Sequence, residues 1–368
     1  MAADTPHRTT FRQATASVSL RTNCPGAYRQ ALDTLYSYKR GAEAAARWSV
    51  DVRCDPTLDV GDAAGITGEV VEIGPKLFAS ARSTPTGRVY WVSDLQTMIA
   101  LHRAYRLITV QCATEQAARH WAPRLIRQAM TAQLLGDGAV YAHAAAFTHS
   151  GRGVVIAGHR RRGKTTTLLA ALHRLGGNYV TNDRLLLRCT GSELVGYPWP
   201  MHLRAGIGTL TALPHLAGLV PEHLRRLPLV ERWTYPDKVA VEPPDFPRLM
   251  QAGGTVAGEI RPAVLLWPDL EADRTHVVTE GISPQAALTE LLRSELFMTD
   301  PGRAVSAHVN HWLIPAPDPA VTAGYRRAVA LALTDLPCYR IRAGSDPIAL
   351  AEAVGAILDR MPRRRGEP

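Results

Sequence analysis

With 368 residues, 46% of them apolar, the chain can bury the core of one large domain or of two ordinary ones, and no apolar run approaches the length of a bilayer span. Its five cysteines (Cys24, Cys54, Cys112, Cys189, Cys338) are odd in number and scattered, which argues against a disulfide framework or a zinc site and for a reducing cytoplasm. A net charge of +9 suits anionic partners such as nucleotides or acidic peptides, whereas no recognition motif or interleaving of aromatic and basic residues supports nucleic acid.

Residues 1–20 are rich in Thr, Ala and Arg, lack the apolar core of a secretion signal, and read as a loose N-terminus. Residues 21–115 read as a strand-rich α+β unit, with a helix over 26–38. Its strands fall at 50–54, 68–73, 88–92 and 107–110, separated by Pro and Gly. That unit holds no catalytic constellation and reads as scaffold, with substrate docking as the alternative. A helix over 115–135 carries the apolar stripe Trp121, Leu125, Ala129 and Met130 and stops at Gly136-Asp137-Gly138. It opens the second expected domain, 116–361, in which strands at 139–148 and 153–157 come next.

The second of those strands runs into Gly158-His159-Arg160-Arg161-Arg162-Gly163-Lys164-Thr165, the phosphate-binding pattern G-x-x-x-x-G-K-T, with a helix over 165–175 behind it. A turn between strand and helix aims successive backbone N–H groups, and the positive end of the helix, at one point, where an anion belongs. Gly158 and Gly163 let the backbone approach phosphate, Lys164 supplies a point charge, and the Thr165 hydroxyl suits Mg²⁺, with Thr166 beside it in the first helical turn. Only four of the chain's 42 basic residues are lysine, and one of them stands here among Arg160, Arg161 and Arg162, as expected where a planar guanidinium would not fit. The three arginines are candidates to touch the phosphates themselves.

After a strand at 178–187 come a turn at Thr190-Gly191-Ser192 and Tyr197-Pro198-Trp199-Pro200, which excludes a central strand. A Pro-rich insertion covers 213–247, with a short helix near 222–227. A buried strand follows at 263–267. Ser283-Pro284 starts a helix that runs to about 298, Asp346-Pro347 starts another that ends near 361, and 362–368 form a basic tail.

A phosphate loop alone fits ATPases, GTPases and kinases. Here His143 stands fifteen residues before Gly158, and Asn182-Asp183 stand eighteen and nineteen residues after Lys164. This arrangement resembles HPr kinase/phosphorylase and the wider HPr-kinase-like proteins, including lasso peptide kinases. The resemblance covers 143–187 and, more loosely, 197–204 and 337–342. It implies an α/β fold with a P-loop core of the HPr kinase and phosphoenolpyruvate carboxykinase type, and a Mg-ATP-dependent serine kinase. Asp183 would be base or metal ligand, with His143 and Lys164 beside it. The implied acceptor is a serine of a peptide or small protein, such as a ribosomally made natural-product precursor, and a homo-oligomer is compatible with it.

The sequence also departs from that family. Asn182 replaces the first aspartate of a pair, although its carbonyl oxygen can still ligate Mg²⁺. The loop arginines replace small residues. Gly258-Glu259-Ile260-Arg261 matches a later family motif but lies far along the chain, while His202-Leu203-Arg204-Ala205-Gly206 lies nearer and lacks the acid. Glu259 therefore stands as a candidate metal ligand and Arg204 as a candidate nucleotide contact. A kinase for a small metabolite, a protein that senses ATP without transferring phosphate, and a partner-coupled ATPase remain the alternatives.

Overall fold

The computed structural model describes residues 6–41, 45–57, 68–74, 76–159, 161–271, 274–293, 296–297 and 318–361. It is a mixed α/β structure with several sheets, and the chain divides into two units, the first running to Gly138 and also taking in residues 319–321.

The first unit is built on nine strands: His7–Gln13 (β1), Ala16–Thr22 (β2), Lys39–Gly41 (β3), Trp48–Cys54 (β4), Glu69–Gly74 (β5), Leu77–Thr84 (β6), Gly87–Val92 (β7), Thr97–His102 (β8) and Leu107–Cys112 (β9). They form one sheet in the order β3-β1-β2-β4-β9-β8-β7-β6-β5. The pairs β2/β4 and β4/β9 are parallel, so the chain needs crossovers between them. One is helix α1 (Pro25–Thr34), whose first turn is capped by the Cys24 sulfur accepting the Ala27 N–H at 3.4 Å.

Helix α2 (Glu115–Gly136), capped by Thr114, packs on β2, β4 and β9. It therefore belongs to the first unit, and the boundary expected at 115/116 moves to Gly138. The supposed loose end is also corrected: residues 7–22 are a hairpin that buries Phe11, Val18 and Leu20. Ser and Thr alternate with its apolar residues, so it has the period of a strand without a continuous apolar run.

In the second unit the strands are Val140–Ala142 (β10), Ala145–His149 (β11), Arg152–Ile156 (β12), Asn178–Thr181 (β13), Leu185–Thr190 (β14), Glu193–Pro198 (β15), Leu203–Gly206 (β16), Lys238–Val241 (β17), Pro262–Leu270 (β18), Val278–Gly281 (β19) and Cys338–Ala343 (β20). Six of them form the main sheet, β13-β11-β12-β18-β20-β19; β10-β14-β15 make a second sheet and β16-β17 a ribbon. The helices are Lys164–Arg174 (α3), Ile207–Ala212 (α4), Glu222–Arg225 (α5), Leu229–Thr234 (α6), Pro284–Arg293 (α7), Pro319–Thr334 (α8) and Pro347–Asp359 (α9). Helices α3 and α9 pack together. Val155, Leu265 and Trp267 share a core with Ala287 and Leu291 of α7 and with Val329, Ala330 and Leu333 of α8. Among the described residues no helix is long and apolar enough to cross a membrane.

Two expected strands each break in two. Residues 139–148 start in the second sheet as β10 and continue in the main sheet as β11, while 178–187 start in the main sheet as β13 and continue in the second as β14. The breaks fall at His143-Ala144 and at Asn182-Asp183-Arg184. Helix α7 is described from Pro284 to Arg293, and the Leu296 carbonyl accepts the His143 N–H at 2.7 Å. Met298 and the basic tail lie outside the described residues.

At the far end of α3, His173 stacks on His215 with ring centroids 3.9 Å apart. Both ring nitrogens of His215 are buried and have no hydrogen-bond partner among the described residues. Burial, and then the neighbouring His173 and Arg248, push the His215 pKa down to about 4. In the unfolded chain the same ring takes a proton near pH 6.5. The native state gives up stability as pH falls from about 6.5 towards 4, because only the unfolded state is binding that proton. His215→Phe keeps the stack and removes the titration. Its melting temperature is expected to fall less than that of wild type between pH 7 and pH 4.5, as thermal denaturation followed by circular dichroism would read. Equal losses in both proteins would count against this account.

Candidate functional site

The G-x-x-x-x-G-K-T loop lies between β12 and α3, at the C-terminal end of the main sheet's central parallel strands. The strand beside β12 is β18, paired from Gly153↔Pro262 to Ile156↔Leu266, and β18 runs on past the loop. The Ala157 N–H donates to the Leu266 carbonyl at 2.9 Å, and the Leu270 N–H to that of Arg162 at 3.3 Å. Two loop positions need glycine. Gly158 has φ 135 and lies over the indole of Trp267, whose edge is 3.4 Å from where a Cβ would be. Gly163 has φ 99, and a Cβ there would land inside the Leu270 side chain.

No side chain caps the N-terminus of α3, so its first amides are open to an anion. Lys164 is buried and folds back over the loop, its Nζ donating to the carbonyls of Gly158 at 2.8 Å and His159 at 3.0 Å. Thr165 is the next residue of this turn. Thr166 is turned inward and its hydroxyl shares a 2.8 Å hydrogen bond with that of Thr209 of α4.

The loop arginines part company. Arg162 is tied to Asp269 of β18 at 2.9 Å, Arg161 is exposed with φ 62, and Arg160 lies outside the described residues. His159 reaches Glu290 of α7 at 3.4 Å.

The two strand breaks bring His143 and Asp183 together: the His143 Nε2–H donates to Asp183 Oδ1 at 2.8 Å. The other oxygen, Oδ2, lies 3.4 Å from Arg184 Nε. Burial alone would raise the Asp183 pKa. The hydrogen bond and field of His143, with the charges of Arg184 and Lys164, outweigh it and hold the carboxyl well below the usual carboxylate range. Lys164 thus lies near enough for its charge to lower the Asp183 pKa. Next to Asp183, Asn182 is buried, and its Oδ1 has no hydrogen-bond partner among the described residues.

Two expected site residues are not brought in. Glu259 precedes the start of β18, beside Ile260 with its backbone bonds to Gly196, and so lies at the opposite end of the parallel pair from the loop. It is not a metal ligand of this site. Arg204 stands exposed on β16, opposite Ala240. Conversely Arg184, Asp269 and Glu290 were missed from sequence. Arg184 follows Asp183 directly and Asp269 ends a long apolar strand, which are the signals that point to each.

No family model matches the chain, and neither does any curated protein. Among solved structures, the Hpr(Ser) kinase/phosphatase from Coxiella burnetii is similar at 16% identity over 39% of this chain and 71% of that one, with a TM-score of 0.23. A likeness that low carries no argument about function, which has to be read from the geometry of the site itself.

Proposed function

We propose that the chain is a Mg-ATP-dependent kinase that transfers the γ-phosphoryl group to a hydroxyl, namely a serine of a peptide or small protein. The observation that carries this reading is the Asp183 carboxyl, held by His143 at 2.8 Å and near enough to the loop lysine to feel its charge. An α3 N-terminus without a cap, with Lys164 beside it, suits a triphosphate.

Among the described residues no three His, Cys, Asp or Glu side chains are grouped to hold a metal. Mg²⁺ takes few protein ligands and several phosphate oxygens. Thr165 and the Oδ1 of Asn182, which has no hydrogen-bond partner among the described residues, are the groups that would hold it. When bound, the metal supplies charge neutralisation on the phosphates.

The chain's own part is positioning and proton handling. Lys164 would release the loop carbonyls for phosphate oxygens. Asp183 would accept a hydrogen bond from the serine hydroxyl and align its oxygen with the γ-phosphorus. As the new O–P bond forms, the bond to the β–γ bridging oxygen breaks, ADP leaves, and the hydroxyl proton passes to the Asp183 carboxylate.

The test is incubation with γ-labelled ATP, Mg²⁺ and a serine-containing peptide library, followed by mass spectrometry. Phosphoserine is the expected product. Tight nucleotide binding with no labelled hydroxyl on any acceptor would leave only a nucleotide-binding protein.

A further inference from the structure

Asp183 is the residue on which the proposed reaction turns, yet it sits in a strand break where backbone pairing does not fix its side chain. Something else must aim it. His143 holds one oxygen only, and a carboxylate held at one point can still rotate about that contact.

The second oxygen faces Arg184, and Arg184 is fixed from behind. Its Nη1 donates to the Tyr141 hydroxyl at 3.0 Å. Its guanidinium carbon lies 4.4 Å from the centroid of the Trp199 ring and 5.8 Å from that of Tyr141. The two rings meet edge to face at 6.0 Å and are themselves buried. Tyr141 comes from β10, Arg184 precedes β14 and Trp199 follows β15, so all three strands of the second sheet converge on this one cation.

The backbone of Arg184 is anchored independently. Its carbonyl accepts from Thr181 Oγ1 at 2.8 Å and from the Trp199 N–H at 3.2 Å. A planar guanidinium stacked on an indole and bonded at its far end has little freedom left, and a stacked arginine is not replaced by lysine without loss.

We infer that Arg184 is a positioning residue for Asp183, a fixed cation set by the Tyr141 and Trp199 rings that holds the second carboxylate oxygen and so aims the first. This inference rests on the kinase reading for its purpose, but not for its geometry. The 3.4 Å contact lies beyond hydrogen-bond range for good alignment, so the grip is chiefly Coulombic and acts through charge.

The experiment compares wild type with Arg184→Gln, Arg184→Lys and Tyr141→Phe. Ligand-free crystal structures of all four provide one readout; steady-state phosphorylation of a serine peptide and calorimetric Mg-ATP binding provide the other. In R184Q the His143–Asp183 contact is expected to lengthen from 2.8 Å as the carboxylate turns. Its kcat should fall about ten- to a hundredfold, the scale of a misplaced catalytic group, with KM for both substrates and Mg-ATP affinity held. R184K should recover part of kcat by restoring charge without the stacked plane, and Y141F should lose a smaller part.

An R184Q structure with the His143 contact and the Asp183 rotamer intact, or an R184K variant no better than R184Q, would overturn the inference. If R184Q does not fold, the R184K and Y141F structures decide the matter by the same contact. A wild-type protein that phosphorylates nothing would defeat the kinase reading alone, because the ligand-free structures still report whether Arg184 aims Asp183.

Discussion

Asp183→Asn is expected to lower phosphate transfer by about a thousandfold, the middle of the range for a lost general base, while Mg-ATP still binds. The amide keeps the shape of the carboxylate and can still accept the His143 Nε2–H through its oxygen, so the strand break should hold. What it loses is the charge and the capacity to take the hydroxyl proton. Nucleotide affinity should stay level or rise slightly, because a negative group near the phosphates has been removed. Calorimetric binding beside a labelled-phosphate assay separates the two effects. A protein that only senses ATP would bind and respond as before. A partner-coupled ATPase would instead release phosphate without any hydroxyl acceptor.

The second large effect is expected from Gly163→Ala. At φ 99 an alanine loses about 1–2 kcal/mol to a left-handed backbone. Its methyl would also overlap the Leu270 side chain, and overpacking of this kind costs about 1–3 kcal/mol. The sum is a large share of the roughly 5–15 kcal/mol that holds a typical domain together. Relief by displacement of the loop would splay the α3 amides and the Lys164 contacts, so Mg-ATP binding should be lost together with thermal stability. Adding Leu270→Ala removes the overlap but not the backbone strain. The double variant should therefore regain part of the stability lost in G163A, a coupling of about 1 kcal/mol between touching residues. If the double variant is no more stable than the single one, overlap with Leu270 is not the cause.

Much of the geometry of the 158–165 loop was legible in the sequence because its signals are local. The glycines, Lys164 and the flanking strand and helix lie within a short stretch, and their spacing dictates their geometry. The Asp346 cap and Pro347 marked the start of α9 for the same reason: the Asp346 side chain accepts the Ile348 N–H at 2.8 Å.

What the sequence hid is what non-local packing decides. Residues 139–148 and 178–187 look like single apolar strands, and nothing in their periodicity shows that each changes sheet halfway, at the residues that make the site. The likeness of Gly258-Glu259-Ile260-Arg261 to a motif misplaced Glu259, because letters carry no information on which end of a strand faces the loop. Nor could spacing reveal that Cys54 and Cys112, far apart in the chain, stand directly opposite each other on β4 and β9. The Ser- and Thr-rich hairpin of β1 and β2 was lost because its inward residues alternate with small polar ones, giving a composition that suits a disordered end equally well.

The seating of the phosphate loop on β18 also bears on how the protein is made. Arg162 and its partner Asp269 are 107 positions apart, and Leu270 shapes the loop from the same late strand. A nascent chain that has just left the ribosome with its glycines and lysine has nothing to brace them against. The loop cannot take up this geometry until about a hundred further residues have been translated, and β12 has no β18 to pair with during that interval.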